Sequence, residues 1–239
     1  IRALHQGFVD AGSDLILIVV ASARDGTVGD VVVSGVTYNG VSLTKIRSDE
    51  RSGGAAQIRS EIWYLINPAT GSNTVSISWD GIQVLQCGAG AISLTGVNQN
   101  DPLDADDGTN GASGNPTDTL TTVADATMVI DAVVCEENDG IDADVSQDER
   151  VNLVAGGNFW SLGSSTEAKA TAGTVDMDWS QDTSNDWAIS MASFVPSALD
   201  INVSDSLTIT ENVSVSVEGG VVDLDVSVSD AITITESVT

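Results

Sequence analysis

The sequence predicts an all-β fold, an antiparallel β-sandwich or jelly roll followed by a long extended β tail or hairpin. Two observations lead to this prediction. Valine, isoleucine and threonine account for 68 of the 239 residues, and β-branched side chains favour strands over helices. Short apolar stretches are separated by turn-forming residues, and no segment keeps an apolar period of 3.6 residues. We therefore expect many short strands and little helix.

The predicted strands follow one another closely. Asn39-Gly40, between two β-branched runs, indicates a hairpin turn, and Asn67-Pro68 and Asp80-Gly81 indicate further turns. The strand-like segments are 14–22, 31–46, 60–67, 73–79, 84–97, 118–123, 127–135, 174–180 and 186–195. Antiparallel strands joined by polar turns favour a sandwich.

Two acidic stretches, 98–117 and 136–150, interrupt this pattern, and we expect both to be loops. Loops of this length are commonly functional or disordered. Closely spaced carboxylates could bind Ca²⁺, which takes six to eight oxygen ligands; the alternative is a solvated acidic surface with no cofactor. The candidate calcium ligands are Asp101, Asp104, Asp106 and Asp107 in the first stretch, and Asp139, Asp142 and Asp144 in the second.

The composition changes after Pro196, which predicts a sandwich domain over 1–197 and a repetitive β tail over 198–239. The tail has no aromatic or basic residue and alternates between apolar and polar side chains. Its two arms repeat each other: VSDSLTITENV (203–213) matches VSDAITITESV (228–238) at 8 of 11 positions. A turn at Gly219-Gly220 would place the apolar side chains of both arms on one face.

That apolar face needs a cover, because an isolated two-stranded ribbon is marginally stable in water. We expect it to contact another copy of the chain by strand addition to an open sheet edge. The predicted subunit-contact residues are Ile201, Val203, Leu207, Ile209, Val213, Val215, Val217, Val222, Leu224, Val226, Val228, Ile232 and Ile234. Asn202 and Asn212 begin Asn-Val-Ser sequons and are candidate glycosylation sites.

The net charge of −27 argues against nucleic acid and anionic membranes as partners, since both require a surface rich in lysine and arginine. The most apolar run, 15–23, is too short to span a bilayer, so membrane insertion is not expected. Residues 61–239 hold the whole net charge. Five bases lie close together in the neutral first quarter and could form a patch that meets the acidic tail: Arg24, Lys45, Arg47, Arg51 and Arg59.

The residues that usually perform catalysis are scarce, and we expect no enzymatic activity. Nucleophile, metalloprotease and phosphate-binding motifs are absent. Two carboxylates across a cleft could serve a glycosidase, but Glu61, Asp176 and Asp178 alternate on strands in the manner of solvent-facing acids. Trp160 is the one loop tryptophan that could stack on a sugar.

Cys87 and Cys135 each fall inside a predicted strand. They form either one disulfide in an oxidising compartment, on neighbouring or facing strands, or two buried apolar groups.

Five segments resemble, in their order, the β-sandwich modules of bacterial, archaeal and phage surface or fibre proteins. They are VTYNGVSLTKI (36–46), EIWYLINPATGSNTVSISWDG (61–81), AISLTGVNQNDPL (91–103), TMVIDAVV (127–134) and DWAISMASFVPS (186–197). The tail resembles the Ser/Thr/Val/Asp repeats of long prokaryotic surface proteins. Such modules have a strand before the equivalent of DLILIVV (14–20), which we expect here to be short or absent, leaving an open edge.

Together these features predict a non-enzymatic structural subunit of an extracellular filament or surface fibre, with copies of itself as partners. The alternatives are a carbohydrate-binding adhesin module at the cell surface, with glycans as partners, and a viral capsid or tail-fibre protein.

Overall fold

The computed structural model describes residues 2–9, 12–26, 32–53, 56–80, 84–136, 140–154 and 160–197. Within these ranges every helix or strand element is a β-strand, which confirms the predicted all-β class. None of the described residues belongs to a helix long and apolar enough to cross a membrane.

The described residues form sixteen strands, all paired antiparallel. Those of the first half are β1 (Arg2–Val9), β2 (Ile16–Asp25), β3 (Val32–Tyr38), β4 (Val41–Ser42), β5 (Thr44–Gly53), β6 (Ala56–Ile66), β7 (Gly71–Asp80) and β8 (Val84–Leu94). Those of the second half are β9 (Leu103–Gly111), β10 (Thr117–Thr122), β11 (Thr127–Glu136), β12 (Ile141–Ala143), β13 (Asp148–Val154), β14 (Trp160–Lys169), β15 (Gly173–Gln181) and β16 (Trp187–Phe194).

These strands form four sheets that stack in layers. The first half has an outer sheet, β1-β7-β3-β4, and an inner sheet, β5-β6-β2-β8. The second half has an outer sheet, β10-β15-β12, and an inner sheet, β13-β14-β11-β16-β9. Each outer sheet packs on its own inner sheet, and the two inner sheets pack on each other. The stretch predicted as one sandwich therefore contains two.

Strand β2 shows why part of the sequence is apolar without alternation. Its odd-numbered residues, such as Leu17 and Val19, pack in the core of the first sandwich. Its even-numbered residues, such as Ile16 and Ile18, pack against the inner sheet of the second sandwich. A strand buried on both faces presents mainly apolar side chains on each face, which gives a nearly continuous apolar run. Strands β11 and β16 are buried on both faces in the same way.

The two sandwiches have the same strand order. Outer strands β1-β7-β3 correspond to β10-β15-β12, and inner strands β5-β6-β2-β8 correspond to β13-β14-β11-β16. The pairing is irregular at equivalent places: between Lys45 and Arg47 where β5 meets β6, and between Glu149 and Val151 where β13 meets β14. β-bulges are specific features of a fold rather than defects, so their agreement indicates an internal duplication.

Sequence and backbone details support the duplication. The segment TVSISW (74–79) on β7 recurs as TVDMDW (174–179) on β15, 100 residues later. Asp14 and Ala126, each just before the central strand of its inner sheet, both have a positive φ, 53° and 56°. The two halves have otherwise diverged in sequence.

Several strands lie where the sequence analysis predicted none. Strand β1 pairs with β7 over eight residues, so the expectation of a short or absent first strand is wrong. The acidic stretches predicted as loops contain β9, β12 and part of β13. Aspartate, asparagine and glycine disfavour strands locally, but here ladder pairing with β16, β15 and β14 overrides that preference.

Glycines set the separation of the two inner sheets. A β-carbon on Gly88 would lie 2.3 Å from the Trp160 ring, and one on Gly90 would lie 2.3 Å from a methyl group of Val151. Both glycines are on β8 and face β13 and β14 of the other sandwich. The small residues of β8 therefore allow the sheets to approach.

We expect Gly88→Ala to lower the free energy of unfolding by about 1–3 kcal/mol, because the added methyl group overpacks the interface. The control is Gly35→Ala on β3, where a β-carbon would contact nothing within 4 Å; it should change stability by less than about 1 kcal/mol. Denaturant unfolding of both variants measures the difference. Equal stability of the two variants would contradict the close approach at Gly88.

Candidate functional site

Among the described residues, the structure places the predicted calcium ligands in several different contacts. Asp104 accepts hydrogen bonds from the backbone N–H groups of Val123 and Ala124 at 2.9 and 2.8 Å, and so fixes a turn. Asp101 is exposed, and Asp139 lies outside the described residues. No group of three or more His, Cys, Asp or Glu side chains in the described ranges is arranged to hold a metal ion.

Arg47 forms ion pairs with the acids at the centre of the first acidic stretch, 98–117. Its guanidinium donates to both carboxylate oxygens of Asp49 at 2.7 and 2.9 Å, to Asp106 at 3.0 Å and to the Gly108 carbonyl at 3.1 Å. Burial lowers the pKa of Arg47, but the hydrogen bonds and charges of Asp49 and Asp106 outweigh that effect and raise it. The arginine joins β5 of one sandwich to β9 of the other.

The other four bases of the predicted patch are also paired with acids within the described chain. Each lies within 4 Å of a carboxylate on a neighbouring strand or in the other sandwich. The pairs are Arg24 with Glu136, Lys45 with Glu61, Arg51 with Asp186 and Arg59 with Glu50.

A cavity with three acidic residues in its lining lies at the outer sheet of the second sandwich. Asp142 and Asp144, predicted as calcium ligands, and Asp178 line this cavity of about 400 Å³. Trp179 also lines it, but its ring is only 1% exposed and offers no stacking face. Asp144 accepts hydrogen bonds from the backbone and side chain of Ser146. The cavity is therefore an acidic depression on the sheet surface.

Asp131 is a fully buried carboxylate that the sequence analysis took for part of an apolar strand. It accepts hydrogen bonds from Trp179 Nε1 and from the backbone N–H of Ser165, both at 2.5 Å. Gln147 Nε2 lies 3.5 Å from the same carboxylate and donates to Ser165 Oγ at 2.6 Å. Burial raises the pKa of Asp131 to about 6, although these hydrogen bonds oppose the shift. The network joins β11, β14 and β15.

Glu61 is also buried, so its prediction as a solvent-facing acid is wrong. Lys45 Nζ lies 3.0 Å from its carboxylate and 4.8 Å from the centre of the Trp63 ring. Trp63 Nε1 donates to the same carboxylate at 2.8 Å. A buried charge needs a partner and hydrogen bonds, and Glu61 has both. Its bonding is that of a structural ion pair.

The disulfide predicted between Cys87 and Cys135 does not form in the structure. Cys87 packs against the core of the first sandwich, whereas Cys135 lies in the core of the second. Burial raises the pKa of the Cys87 thiol and so disfavours the reactive thiolate. The alternative prediction, of two small apolar groups, describes them better.

The tryptophan predicted as a sugar-stacking platform is part of the core. Trp160 begins β14 and is 4% exposed, and its ring packs against Gly88 and Ile58 of the first sandwich. The other four tryptophans are buried as well. None of the five presents an open aromatic face.

The predicted subunit-contact residues, from Ile201 to Ile234, and the sequon residues Asn202 and Asn212 lie outside the described residues.

The edge formed by β8 differs from the other edges of the two inner sheets. Strands β5, β9 and β13 carry several charged residues, which protect an edge from pairing with another chain. β8 has eleven residues, VLQCGAGAISL, with no charge and no proline. It pairs with β2 on one side, and no described strand pairs with its other side. Cys87, Ala89, Ala91, Ile92 and Leu94 on this strand are half-buried.

An apolar cavity of about 660 Å³ lies at the end of β8. Leu94, Val97, Met128 and Phe194 line it, with Lys169 also in its lining. The open edge and this cavity together form the candidate strand-binding site, which we call the β8 edge. The sequence analysis anticipated an open edge but placed it at the N-terminal strand.

No protein-family model, curated protein or solved structure matches the chain.

The buried Asp131 predicts a pH dependence of stability. Its folded-state pKa of about 6 exceeds the ordinary value of 3.8, so the native state binds the proton more tightly than the unfolded chain does. The stabilisation is greatest below about pH 4 and decreases, by about 3 kcal/mol, as the pH rises to about 6.

The measurement compares unfolding free energies of the native protein and Asp131→Asn between pH 3.5 and 7.5, since the asparagine keeps a carbonyl for Trp179 but cannot titrate. The difference between the two curves should show the decrease between about pH 4 and 6. A difference that stays constant with pH would show that Asp131 does not titrate in this range.

Proposed function

We propose that the chain is a non-enzymatic structural subunit of an extracellular filament or surface fibre, and that copies join head-to-tail by β-strand addition. The observation that carries the proposal is the β8 edge, an uncharged open strand beside an apolar cavity. The chain also carries a tail, 198–239, whose two arms have the alternating pattern of strands with one apolar face.

The physical argument is that the β8 edge and the tail complement each other, because the edge has room for a further strand and the tail needs a strand to pair with. An open edge strand presents unpaired N–H and C=O groups, and an amphipathic strand needs both ladder partners and an apolar surface. Backbone hydrogen bonds would provide affinity, and alternate side chains would set the register. Because donor and acceptor are different surfaces, the contact is heterologous and extends into a filament wherever the rotation does not close a ring.

The polar groups that have partners inside the fold support a structural role over a catalytic one. Asp131, Glu61 and Arg47 have partners inside the fold and tie strands or sandwiches together. The surplus acid of the remaining surface would keep such a subunit soluble before assembly. The resemblance to prokaryotic surface and fibre modules supports an extracellular location.

The test compares the full chain with a variant lacking residues 198–239. We expect the full chain to form filaments visible by electron microscopy and the shortened chain to remain a folded, soluble monomer by light scattering. The shortened chain keeps the strands and all of the cores described above. Filaments of the same helical symmetry from the shortened chain would refute assembly through the tail.

A further inference from the structure

The two inner sheets differ at one strand position, which only the second sandwich fills among the described residues. In the second sandwich β16 pairs with β11 on one side and with β9 on the other. Its counterpart β8 pairs with β2, and no described strand takes the position equivalent to β9. The second sandwich therefore shows the geometry that an added strand would have beside β8.

The surface that faces this position has a different chemistry in the two halves. Where β9 is present, Arg47 and Asp49 of β5 lie against it, and a β-carbon on Gly108 would meet both side chains. The register of the bulged pairs makes Val151 and Leu153 of β13 the counterparts of Arg47 and Asp49. The surface beneath the acidic strand β9 is therefore charged, whereas the surface beneath the open position beside β8 is apolar. We call each of these surfaces the floor of its strand position: Arg47 and Asp49 form the charged floor, and Val151 and Leu153 form the apolar floor.

Leu153 is unusual because it is 41% exposed although it lies on the inner face of its sheet. Its cross-strand partner is Leu162, which packs in the core between the two inner sheets. Its counterpart Asp49 lies under β9 and accepts a hydrogen bond from Ser190 at 2.7 Å. Leu153 is partly exposed, whereas its counterpart Asp49 is covered by β9. This difference is expected if the strand that covers Leu153 comes from another molecule.

The end of the position is also apolar. In the second sandwich Leu103 of β9 lies opposite Phe194, and both pack in the central core. The counterpart of Phe194 is Leu94, which lines the cavity of about 660 Å³. An added strand would place one apolar side chain in this cavity, with Lys169 near enough to pair with an acid on the same strand.

We propose that one arm of the tail of a second copy occupies this position, antiparallel to β8, with its apolar side chains on Val151, Leu153 and the Leu94 cavity. The assignment rests on the proposed function. Either arm, 201–217 or 222–238, is longer than the eleven residues of β8 and places an apolar residue at nearly every second position. An acidic strand like β9 would not fit an apolar floor.

The first experiment uses a matched pair of substitutions in the full chain. Leu153→Asp puts a charge on the floor, whereas Val154→Asp alters the next residue, which is 43% exposed on the opposite face of β13. We expect Leu153→Asp to raise the critical concentration for filament formation at least about tenfold, and Val154→Asp to change it less than about twofold. Circular dichroism checks that both variants fold. Equal effects of the two substitutions would overturn the assignment.

The second experiment is complementation between full-length variants. The donor-defective variant carries Ile209→Asp and Ile234→Asp, which charge the same position of both arms. This variant and Leu153→Asp should each stay monomeric. A one-to-one mixture should form dimers and nothing longer, because only one functional donor meets one functional acceptor. A mixture that remains monomeric, or that forms filaments, would overturn the assignment.

Failure of the assignment can be separated from failure of the proposed function. If the unmodified chain forms no filaments, the proposed function is wrong. Synthetic peptides of residues 201–217 and 222–238 then test the position directly by titration into the full chain and into Leu153→Asp. Binding of either peptide that Leu153→Asp weakens at least about tenfold supports the site, and equal or absent binding of both refutes it.

Discussion

The fold depends on burial of both inner sheets on both faces. Strands β2, β11 and β16 contribute apolar side chains to a sandwich core on one side and to the central core on the other. This arrangement requires small residues where the sheets come closest, and Gly88 and Gly90 meet that requirement. A small number of aromatic residues is enough to fill the cores, because each large ring occupies the space beside a glycine. Trp160 does so over Gly88, and Trp179 does so over Gly163.

Polar groups inside this framework lock strands together. Asp131 joins three strands of the second sandwich through Trp179, Ser165 and Gln147. Arg47 joins the two sandwiches through Asp49 and Asp106. Such contacts cost desolvation and repay it only with good geometry. Ion pairs within the chain also occupy five bases of the first quarter, Arg24, Lys45, Arg47, Arg51 and Arg59, which leaves an excess of acids elsewhere in the chain.

The inner sheets of the two halves have the same strand order but differ at one edge. In the second sandwich β9 covers β16 and brings acids to a charged floor. In the first, β8 has neither the covering strand among the described residues nor the charges that protect β5, β9 and β13. Edge strands without such protection invite pairing with another chain. The duplication thus provides an internal reference: one half shows a completed sheet, and the other shows what a partner would complete.

The sequence by itself determined the all-β class, because β-branched content and turn residues act locally. It also revealed the repeat in the tail. Only the tertiary structure decided that two sandwiches stack and that the acidic segment of β9 is a strand. It also decided that Asp131 accepts a hydrogen bond from Trp179, and that Cys87 and Cys135 lie in separate cores. The one sequence signal for the duplication was the segment TVSISW recurring as TVDMDW. The physical reason is that these outcomes depend on pairing between residues tens of positions apart, and local patterns of hydropathy and charge carry no information about which distant strand supplies the partner.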